Sequence, residues 1–181
     1  MTDRPAQPEE PVRLVPYDPS WPKRFDLERR ALGELLQPWL SGPIEHVGST
    51  AVPGLLAKPV IDIMAAVESL PASRPAIAAL VLVGWVHFPY REDVMHWFCK
   101  PSPAFRTHHL HLVPFESRLW RDRLAFRNLL RRDSTVAAEY AELKRELAGR
   151  YEFDREAYTE AKGPFVKRVL SRIHAAPSES A

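Results

Sequence analysis

A lone carboxylate in an apolar segment is the first feature of this sequence that could support chemistry. Asp62 lies between Ile61 and Ile63 in residues 59–67, which are otherwise almost wholly apolar, as in a buried central strand. An ionised carboxylate in such a strand needs a metal ion, a basic group or several hydrogen bonds to offset its desolvation. If Asp62 faces a cleft, its carboxylate can therefore hold a divalent cation or polarise a nucleophile.

A glycine–serine turn lies shortly upstream, in the segment His46-Val-Gly-Ser-Thr50. Gly48 lets the backbone approach a ligand closely, because it has no side chain. If a helix begins at Ser49, its free N–H groups and the serine hydroxyl favour an anion such as phosphate. The alternative is that Gly48 makes a tight turn and Ser49 caps a short helix. His46 can point into the same cleft or make a hydrogen bond in the core.

Two histidines later in the chain have the spacing of neighbours on one face of a strand. His109 and His111 alternate along their predicted strand, so both point to one face and His108 points to the other. The two imidazoles could bind a transition metal such as Zn²⁺, with Asp62 or His46 as a third ligand. They could instead contact a phosphate or supply a general base, or they could simply pack in the fold.

The elements that must position these residues follow from hydrophobic periodicity. Strand patterns occupy residues 12–15, 44–47, 59–67, 94–99 and 107–113. Helical patterns occupy residues 21–40, 72–83, 116–132, 134–149 and 154–174. Ser41-Gly-Pro43 should end the first helix, and Gly163-Pro164 should kink or split the last one. Strands dominate the first two-thirds and helices the end. The order predicts an α+β fold, with a helical segment over 116–174 packed against a mixed sheet.

The overall composition fits one domain. The chain has 181 residues, and 25 basic residues against 23 acidic ones give a net charge of +2. This balance excludes a global basic field of the kind that drives non-specific nucleic-acid binding. Residues 1–11 and 175–181 are polar and rich in proline or serine, so we expect disordered tails on either side of a domain at 12–174.

Cysteine content and hydropathy bear on the compartment. Cys99 is the one cysteine, so no internal disulfide forms, and its apolar neighbours predict a small buried residue rather than a reactive thiol. The sequence has no apolar run of ~18 residues, the length that spans a bilayer, and no apolar core near its beginning. We therefore expect a cytoplasmic protein without a membrane partner.

The central motif resembles a known family. A strand, a Gly-Ser turn, a short helix and a strand with Asp62 are typical of nucleotidyltransferases of the polymerase-β type. Within that superfamily, His46-Val-Gly-Ser-Thr-Ala-Val-Pro-Gly-Leu55, followed by Lys58-Pro-Val-Ile-Asp-Ile63, is similar to the signature of the GrpB family. The resemblance extends over residues 12–172 and includes Val15-Pro-Tyr-Asp-Pro-Ser-Trp-Pro22 and His109-Leu-His111.

The resemblance implies a small mixed-sheet nucleotidyltransferase-like core and a set of ligands. The expected ligand is a nucleoside triphosphate or another phosphorylated small molecule, with Mg²⁺ or Mn²⁺ held by Asp62. The residues expected to contact phosphate are His46, Gly48, Ser49, Thr50, Lys58, Arg127, Lys144 and Lys162. The last three lie on the C-terminal helices, where Arg can bind phosphate bidentately and Lys acts as a point charge, unless they are solvated surface charges.

The C-terminal helices also leave room for a different partner. Arginines recur along residues 116–132, so this helix is basic on at least one face. Salt pairs with Asp122 and Asp133 would reduce its net field. A face that contacts RNA phosphates is therefore a further hypothesis for this helix.

The sequence departs from the polymerase-β pattern at its acidic ligands. Working enzymes of this type resemble one another in two alternating strand carboxylates, but the second position here is Met64, whose thioether is a poor ligand for a hard cation. The later strand offers His109 and His111 in place of a third carboxylate, and Asn128 stands where the family often has aspartate.

Three hypotheses follow from this departure. The protein can be a metal-dependent nucleotidyltransferase with Asp62 as its catalytic metal ligand. It can instead be a non-catalytic nucleotide-binding module that lacks the second acidic ligand. The third hypothesis is a transition-metal site, with Zn²⁺ as the alternative metal, that uses Asp62 with His46, His109 and His111.

Overall fold

The computed structural model describes residues 10–175, which form one five-stranded mixed sheet with helices on both faces. The strands are β1 (Leu40–Val47), β2 (Ile61–Val67), β3 (Val86–Phe88), β4 (His96–Pro101) and β5 (Arg106–Pro114). Their order across the sheet is β1-β2-β5-β4-β3. The β2–β5 pair is parallel and the other pairs are antiparallel. The predicted α+β class with a mixed sheet is confirmed.

The helices surround this sheet and complete the chain. They are α1 (Trp21–Leu36), α2 (Leu70–Ser73), α3 (Pro75–Leu82), α4 (Arg118–Arg132), α5 (Ser134–Arg150), α6 (Arg155–Ala161) and α7 (Gly163–Ala175). Single 3₁₀ turns occupy Gln37–Trp39 and Ser49–Ala51. The predicted C-terminal helical segment is present, and its last stretch divides before Gly163-Pro164, as expected from the missing proline N–H.

The two faces of the sheet have different partners. Ile61 and Ile63 lie on one face, in a core with Trp21 and other side chains of α1. Met64 lies on the opposite face, in a second core that includes Trp120 of α4. Since side chains alternate along a strand, Asp62 shares the face of Met64 and is directed toward the C-terminal helices.

Several predicted elements differ in extent from the observed ones. The strand expected over 12–15 reduces to one bridge, in which Val15 and Ala57 exchange backbone hydrogen bonds of 2.9 and 3.0 Å. Ser41-Gly-Pro43 is not the segment that ends the first helix. It lies within β1, where the register shifts between Leu40 and Ile44. Because β1 is an edge strand, a proline without an N–H is tolerated there.

Prolines also account for the helical differences. The helix expected over 72–83 is divided into α2 and α3, because Pro75 cannot donate to the preceding turn. The first helix ends at Leu36 rather than at residue 40, and Pro38 lies in the 3₁₀ turn that follows. The short edge strand β3 was not predicted, since three residues are too few to show periodicity.

The predicted tails fall largely outside the described residues. This applies to residues 1–9 and 176–181. At the inner margins, Arg155 Nε donates to the Glu10 carbonyl over 3.1 Å, and Ala175 is the last residue of α7. Among residues 10–175, no helix combines the length and the apolar character needed to cross a membrane.

Candidate active-site cleft

Asp62 and two histidines form a compact cluster on the face of the sheet that α4 covers. The parallel register of β2 and β5 aligns Asp62 with His109 and Met64 with His111. His109 Nδ1 lies 2.8 Å from Asp62 Oδ1, and His111 Nε2 lies 3.9 Å from the same oxygen. The side chain of Asp62 remains 29% exposed, so the cluster is open to the cleft rather than sealed in the core. The two histidines predicted to share a face are therefore brought to the predicted carboxylate.

The protonation states of this cluster follow from burial and mutual contact. Burial raises the pKa of Asp62, but contacts with His109 and His111 outweigh it and hold this pKa well below the usual range. Burial lowers the pKa of His111 to about 3 and also lowers that of His109. The cluster thus presents one anionic oxygen and two neutral imidazoles, which are the forms that bind a metal cation.

Gly48 is in direct contact with the carboxylate of Asp62. Its backbone has φ of +72°, a conformation that disfavours side chains, and a Cβ atom placed on it would lie near Asp62 Oδ2 with no room for both. The same Cβ would also lie 3.0 Å from Asp62 Cβ and Cγ. Only glycine allows the turn to approach Asp62 this closely, so the predicted Gly-Ser turn and the predicted carboxylate form one site.

Lys144 of α5 joins this turn from the opposite wall of the cleft. Its Nζ donates to Ser49 Oγ over 3.2 Å and to the carbonyl of Leu56, and the residue is only 1% exposed. The ring of Tyr140 lies 4.8 Å from the same nitrogen. Burial, with smaller contributions from the charges of Lys162 and Arg145, lowers the pKa of Lys144 to about 7.

Two further lysines converge on the ring of Tyr158. Lys162 Nζ lies 4.2 Å from the ring centroid and Lys58 Nζ lies 5.1 Å from it. Burial and the charge of Lys58 lower the pKa of Lys162 to about 7, although Asp62 opposes this shift. Three predicted phosphate-binding lysines from distant parts of the chain thus lie along one wall.

An arginine stripe on α4 forms the next wall. Arg123, Arg127 and Arg131 recur every four residues, so they lie on one side of the helix. Arg127 donates to Glu45 Oε2 over 2.6 Å and to the His46 carbonyl over 2.9 Å. Arg131 donates to the Ala51 carbonyl over 2.8 Å, and Arg123 reaches Met95 Sδ at 3.8 Å. Of the three, only Arg127 was predicted as a site residue. The four-residue spacing was the signal for the others.

These walls enclose a cleft of about 950 Å³ whose lining is strongly basic. Among the described residues that line it, ten are Lys or Arg and four are Asp or Glu. The predicted site residues among them are Gly48, Ser49, Thr50, Lys58, Asp62, His109, His111, Arg127, Lys144 and Lys162. The whole chain has 25 basic and 23 acidic residues, so its small basic excess is concentrated in the cleft.

His46 is a correction to the predicted site. It pairs with Ile63 and therefore lies on the opposite face of the sheet, stacked 4.7 Å from the ring of Phe25. Its Nε2 lies 3.0 Å from Thr50 Oγ1, and this hydroxyl donates to the Val60 carbonyl. Burial lowers the pKa of His46 to about 4, so the ring is neutral. His46 supports the turn from behind and is neither a phosphate contact nor a metal ligand in this arrangement.

Met64 stands where polymerase-β-type enzymes have their second strand carboxylate, and it lies inside the core. Met64 is 0% exposed and packs among apolar side chains on the α4 side of the sheet. Asn128, at the other departing position, is exposed, and its Oδ1 accepts a hydrogen bond of 3.0 Å from Arg127 Nε. Neither residue adds a metal ligand to the cleft.

The donor set of the cluster fits one divalent cation. One atom from each of Asp62, His109 and His111 lies within 4.8 Å of the others. Within the described part of the chain, His109 Nε2 is also buried without a hydrogen-bond partner. Two imidazoles and one carboxylate suit Mn²⁺ or Zn²⁺ better than Mg²⁺, which prefers oxygen ligands and retained water.

Substitution of Gly48 tests the close approach to Asp62. Gly48→Ala should reduce the free energy of unfolding by about 1–3 kcal/mol more than Gly54→Ala, because only the first also meets Asp62. Gly54 is the matched control, since its φ is +78° and an added Cβ would meet nothing within 4 Å. Urea unfolding of both variants measures the difference, and equal losses of stability would contradict the proposed contact.

Comparisons with known proteins agree with this fold. The family model described as "GrpB protein" matches residues 11–172. UPF0157 protein PA4798 of Pseudomonas aeruginosa is 42% identical over 91% of this chain and 69% of its own length. Glutamate-rich protein GrpB of Alkalihalophilus pseudofirmus is 32% identical over 90% of this chain and 95% of its own.

A solved structure shows the same architecture. The crystal structure of conserved protein GrpB from Enterococcus faecalis superposes with a TM-score of 0.79 and 30% sequence identity, covering 88% of this chain and 96% of that one. The family model matches residues 11–172, and the two relatives and this superposition each cover about nine-tenths of the chain. The chain therefore belongs to the GrpB family.

Proposed function

We propose that the protein binds a nucleoside triphosphate or a similar phosphorylated small molecule together with one divalent cation. The observation that carries this proposal is the segregation of charge. Ten basic and four acidic residues among the described ones line the cleft, so the rest of the chain has more acidic than basic residues. A basic cleft built around a single ionised carboxylate suits an anionic ligand that arrives with a cation.

The phosphate groups would lie between the Gly48-Ser49 turn and the lysine wall. Lys144 is already hydrogen-bonded to Ser49 Oγ, and Lys162 is the C-cap residue of α6. The 3₁₀ turn at Ser49–Ala51 has only three residues, so it contributes little helix dipole. The attraction for phosphate therefore comes mainly from the cationic side chains, whose charges act in a partly dehydrated cleft.

The cation would be held by Asp62 with His109 and His111. When bound, it would neutralise part of the phosphate charge and orient the phosphate groups next to the Gly48-Ser49 turn. The protein's own contribution is to keep Asp62 ionised and both imidazoles neutral. The mixed nitrogen and oxygen donor set favours Mn²⁺ or Zn²⁺ over Mg²⁺ for this role.

The geometry supports binding with one cation better than transfer by two metals. A two-metal mechanism needs acidic oxygens that bridge both ions, and Met64 at the second strand position is sealed in the core. Nucleotidyl transfer in this protein would need cationic side chains of the cleft to take the place of the second metal ion. The non-catalytic binding module is thus the function closest to the observed site.

The size of the cleft favours a small molecule over RNA. Its volume of about 950 Å³ lies at the upper end of the range for small-molecule pockets. Three of the arginines on α4 face inward to the cleft lining or to the Gly48–Ala51 segment rather than forming an outward stripe. A nucleotide-sized ligand would therefore fill the site, whereas a long strand would contact only its mouth.

The first test removes the proposed cation ligand. Asp62→Asn should weaken Mn²⁺-dependent binding of ATP, GTP, CTP or UTP by more than about tenfold, since even outer-shell changes at metal sites cost that much. Isothermal titration calorimetry with each triphosphate and Mn²⁺ measures this affinity. Asp26→Asn is the control, because Asp26 lies on α1, with its side chain 49% exposed and paired with Arg29. Equal affinities for wild type and Asp62→Asn would reject the ligand role of Asp62.

The second test uses the lowered pKa of Lys144. An anion binds best when this lysine is protonated, so phosphate affinity should fall as pH rises above about 7, by up to ~tenfold per pH unit. Calorimetry between pH 7.5 and 9, where the triphosphate itself is fully ionised, should show proton uptake on binding. Lys162 has the same lowered pKa and should contribute part of this uptake.

A matched pair of variants assigns the pH effect. Lys144→Met should weaken binding at pH 7.5 and reduce the proton uptake, because Lys162 alone then remains to be protonated. Lys23→Met, at an exposed position on α1, should change neither quantity. Binding that strengthens with pH, or a slope unaffected by Lys144→Met, would show that Lys144 does not contact the phosphate.

A further inference from the structure

We propose that Arg123, together with Arg91, forms a second oxyanion subsite in the cleft, which binds the phosphate or carboxylate group of a second small molecule. This inference goes beyond the proposed function, which needs only the turn, the lysine wall and Asp62. It concerns the opposite part of the same cleft. The observations that carry it are the position of the two arginines, the bonding of Arg123 and the juxtaposition of two like charges.

The strand order separates the second subsite from the first. The Gly48-Ser49 turn follows β1, whereas Arg91 lies in the connection between β3 and β4. Strands β2 and β5, with Asp62 and the two histidines, lie between β1 and β4 in the sheet. Arg123 contacts Met95, immediately before β4, and both arginines line the cleft. The Asp62 cluster thus has cationic groups on two sides.

Arg123 differs from the other arginines of its stripe in its bonding. Arg127 and Arg131 donate to a carboxylate or to backbone carbonyl oxygens. Within the described chain, Arg123 donates only to Met95 Sδ, at 3.8 Å, which is a weak acceptor. A guanidinium carries five N–H donors, and a half-buried one without oxygen partners is costly unless a ligand supplies them.

A purely structural pairing with Asp62 does not account for this arrangement. Asp62 attracts the Arg123 charge, but among the described residues no ion pair within 4.0 Å joins them. Asp62 Oδ1 is instead engaged by His109. The Arg123 donors therefore remain available to the cleft rather than to the carboxylate.

Arg91 adds a second positive charge close to the first. Its charge acts unfavourably on Arg123, whose pKa burial lowers to about 10, so both side chains are still cationic at neutral pH. Arg91 also has φ of +50°, an uncommon conformation for a residue with a side chain. Its carbonyl accepts hydrogen bonds from the N–H groups of Val94 and Met95, which fixes this conformation. The backbone from which the Arg91 side chain extends is thus fixed beside Met95, which Arg123 contacts, and an anion between the two guanidinium groups would stabilise both charges.

The surroundings of the subsite strengthen its attraction for an anion. The rings of Tyr90 and Trp97 line the same part of the cleft, with centroids 6.5 Å apart. Trp97 is only 8% exposed and Arg123 is partly buried, so the charge of Arg123 acts more strongly there than it would in water. The ligand class is therefore a small molecule with a phosphate or carboxylate group, bound next to the triphosphate rather than in its place.

Anomalous scattering locates the oxyanions directly. Crystals of the full chain soaked in sodium tungstate should show tungsten at two places, one between Arg91 and Arg123 and one near Ser49 and Lys144. Tungsten near Ser49 without tungsten at Arg123, at a concentration that saturates the first place, would overturn the second subsite. Tungsten at Arg123 alone would support the second subsite and contradict the phosphate position of the proposed function.

A solution titration provides the matched controls. Wild-type protein should bind two equivalents of tungstate by calorimetry, and Arg123→Gln should bind one. Lys144→Met should also bind one, and Arg121→Gln, at an exposed position of α4, should bind two. Arg123→Lys, which keeps the charge but loses the planar fork, should retain two equivalents with weaker binding at the second.

Stability measurements separate a binding role from a structural one. If Arg123 only stabilises the fold, Arg123→Gln should lower the melting temperature in the absence of anions and still bind two equivalents. That result would overturn the proposal. If Arg123→Gln does not fold, the tungstate stoichiometry of Arg123→Lys and the crystal soak of the wild type decide the question. Protein crystals soaked in acetate or in phosphate then show whether the second subsite prefers a carboxylate or a phosphate group.

Discussion

The close contact between the Gly48 backbone and the Asp62 carboxylate is the constraint on which the rest of the site depends. Gly48 directly follows β1 and has φ of +72°. Its backbone lies so close to Asp62 Oδ2 that there is no space for a side chain between them. His109 holds the other carboxylate oxygen over 2.8 Å. The carboxylate is thus held from both sides. Ser49, the residue after Gly48, accepts a hydrogen bond from Lys144 at its Oγ.

The charges of the cleft are balanced around this one acid. Lys144 and Lys162 have pKa values of about 7 because burial opposes their protonation. Near neutral pH such lysines are only partly protonated, and a bound anion would favour their charged forms. A ligand that carries phosphates and a cation would therefore relieve the repulsion among the basic walls and neutralise Asp62 together. The same balance explains why a protein with a net charge of only +2 can present a strongly basic site.

Features that depend on local residue patterns could be predicted from the sequence. Strand alternation placed Asp62 with Met64 on one face and joined His109 with His111, and both relations are present. The breaking effect of Gly163-Pro164 was also predictable, because it depends only on the backbone chemistry of proline. The family resemblance linked the Gly-Ser turn to Asp62. No helical or strand periodicity connects these two parts of the chain.

Features that depend on the three-dimensional arrangement could not be predicted from the sequence. His46 lies two residues before Gly48, and only the pairing register of β1 shows that it faces the opposite side of the sheet. The role of Arg123 depends on how α4 crosses the sheet, since neighbouring arginines on the same helix are exposed. Gly42 and Pro43 were expected to end an element, but an edge strand with a register shift accommodates them.

One cation should lie between the Asp62 cluster and a bound phosphate. Electron spin-echo spectroscopy of a single equivalent of Mn²⁺ with ATP measures both neighbours of the ion at once. We expect nitrogen coupling from histidine imidazole together with phosphorus coupling from the triphosphate. Phosphorus coupling without nitrogen coupling, or nitrogen coupling unaffected by replacement of both His109 and His111 with alanine, would contradict it.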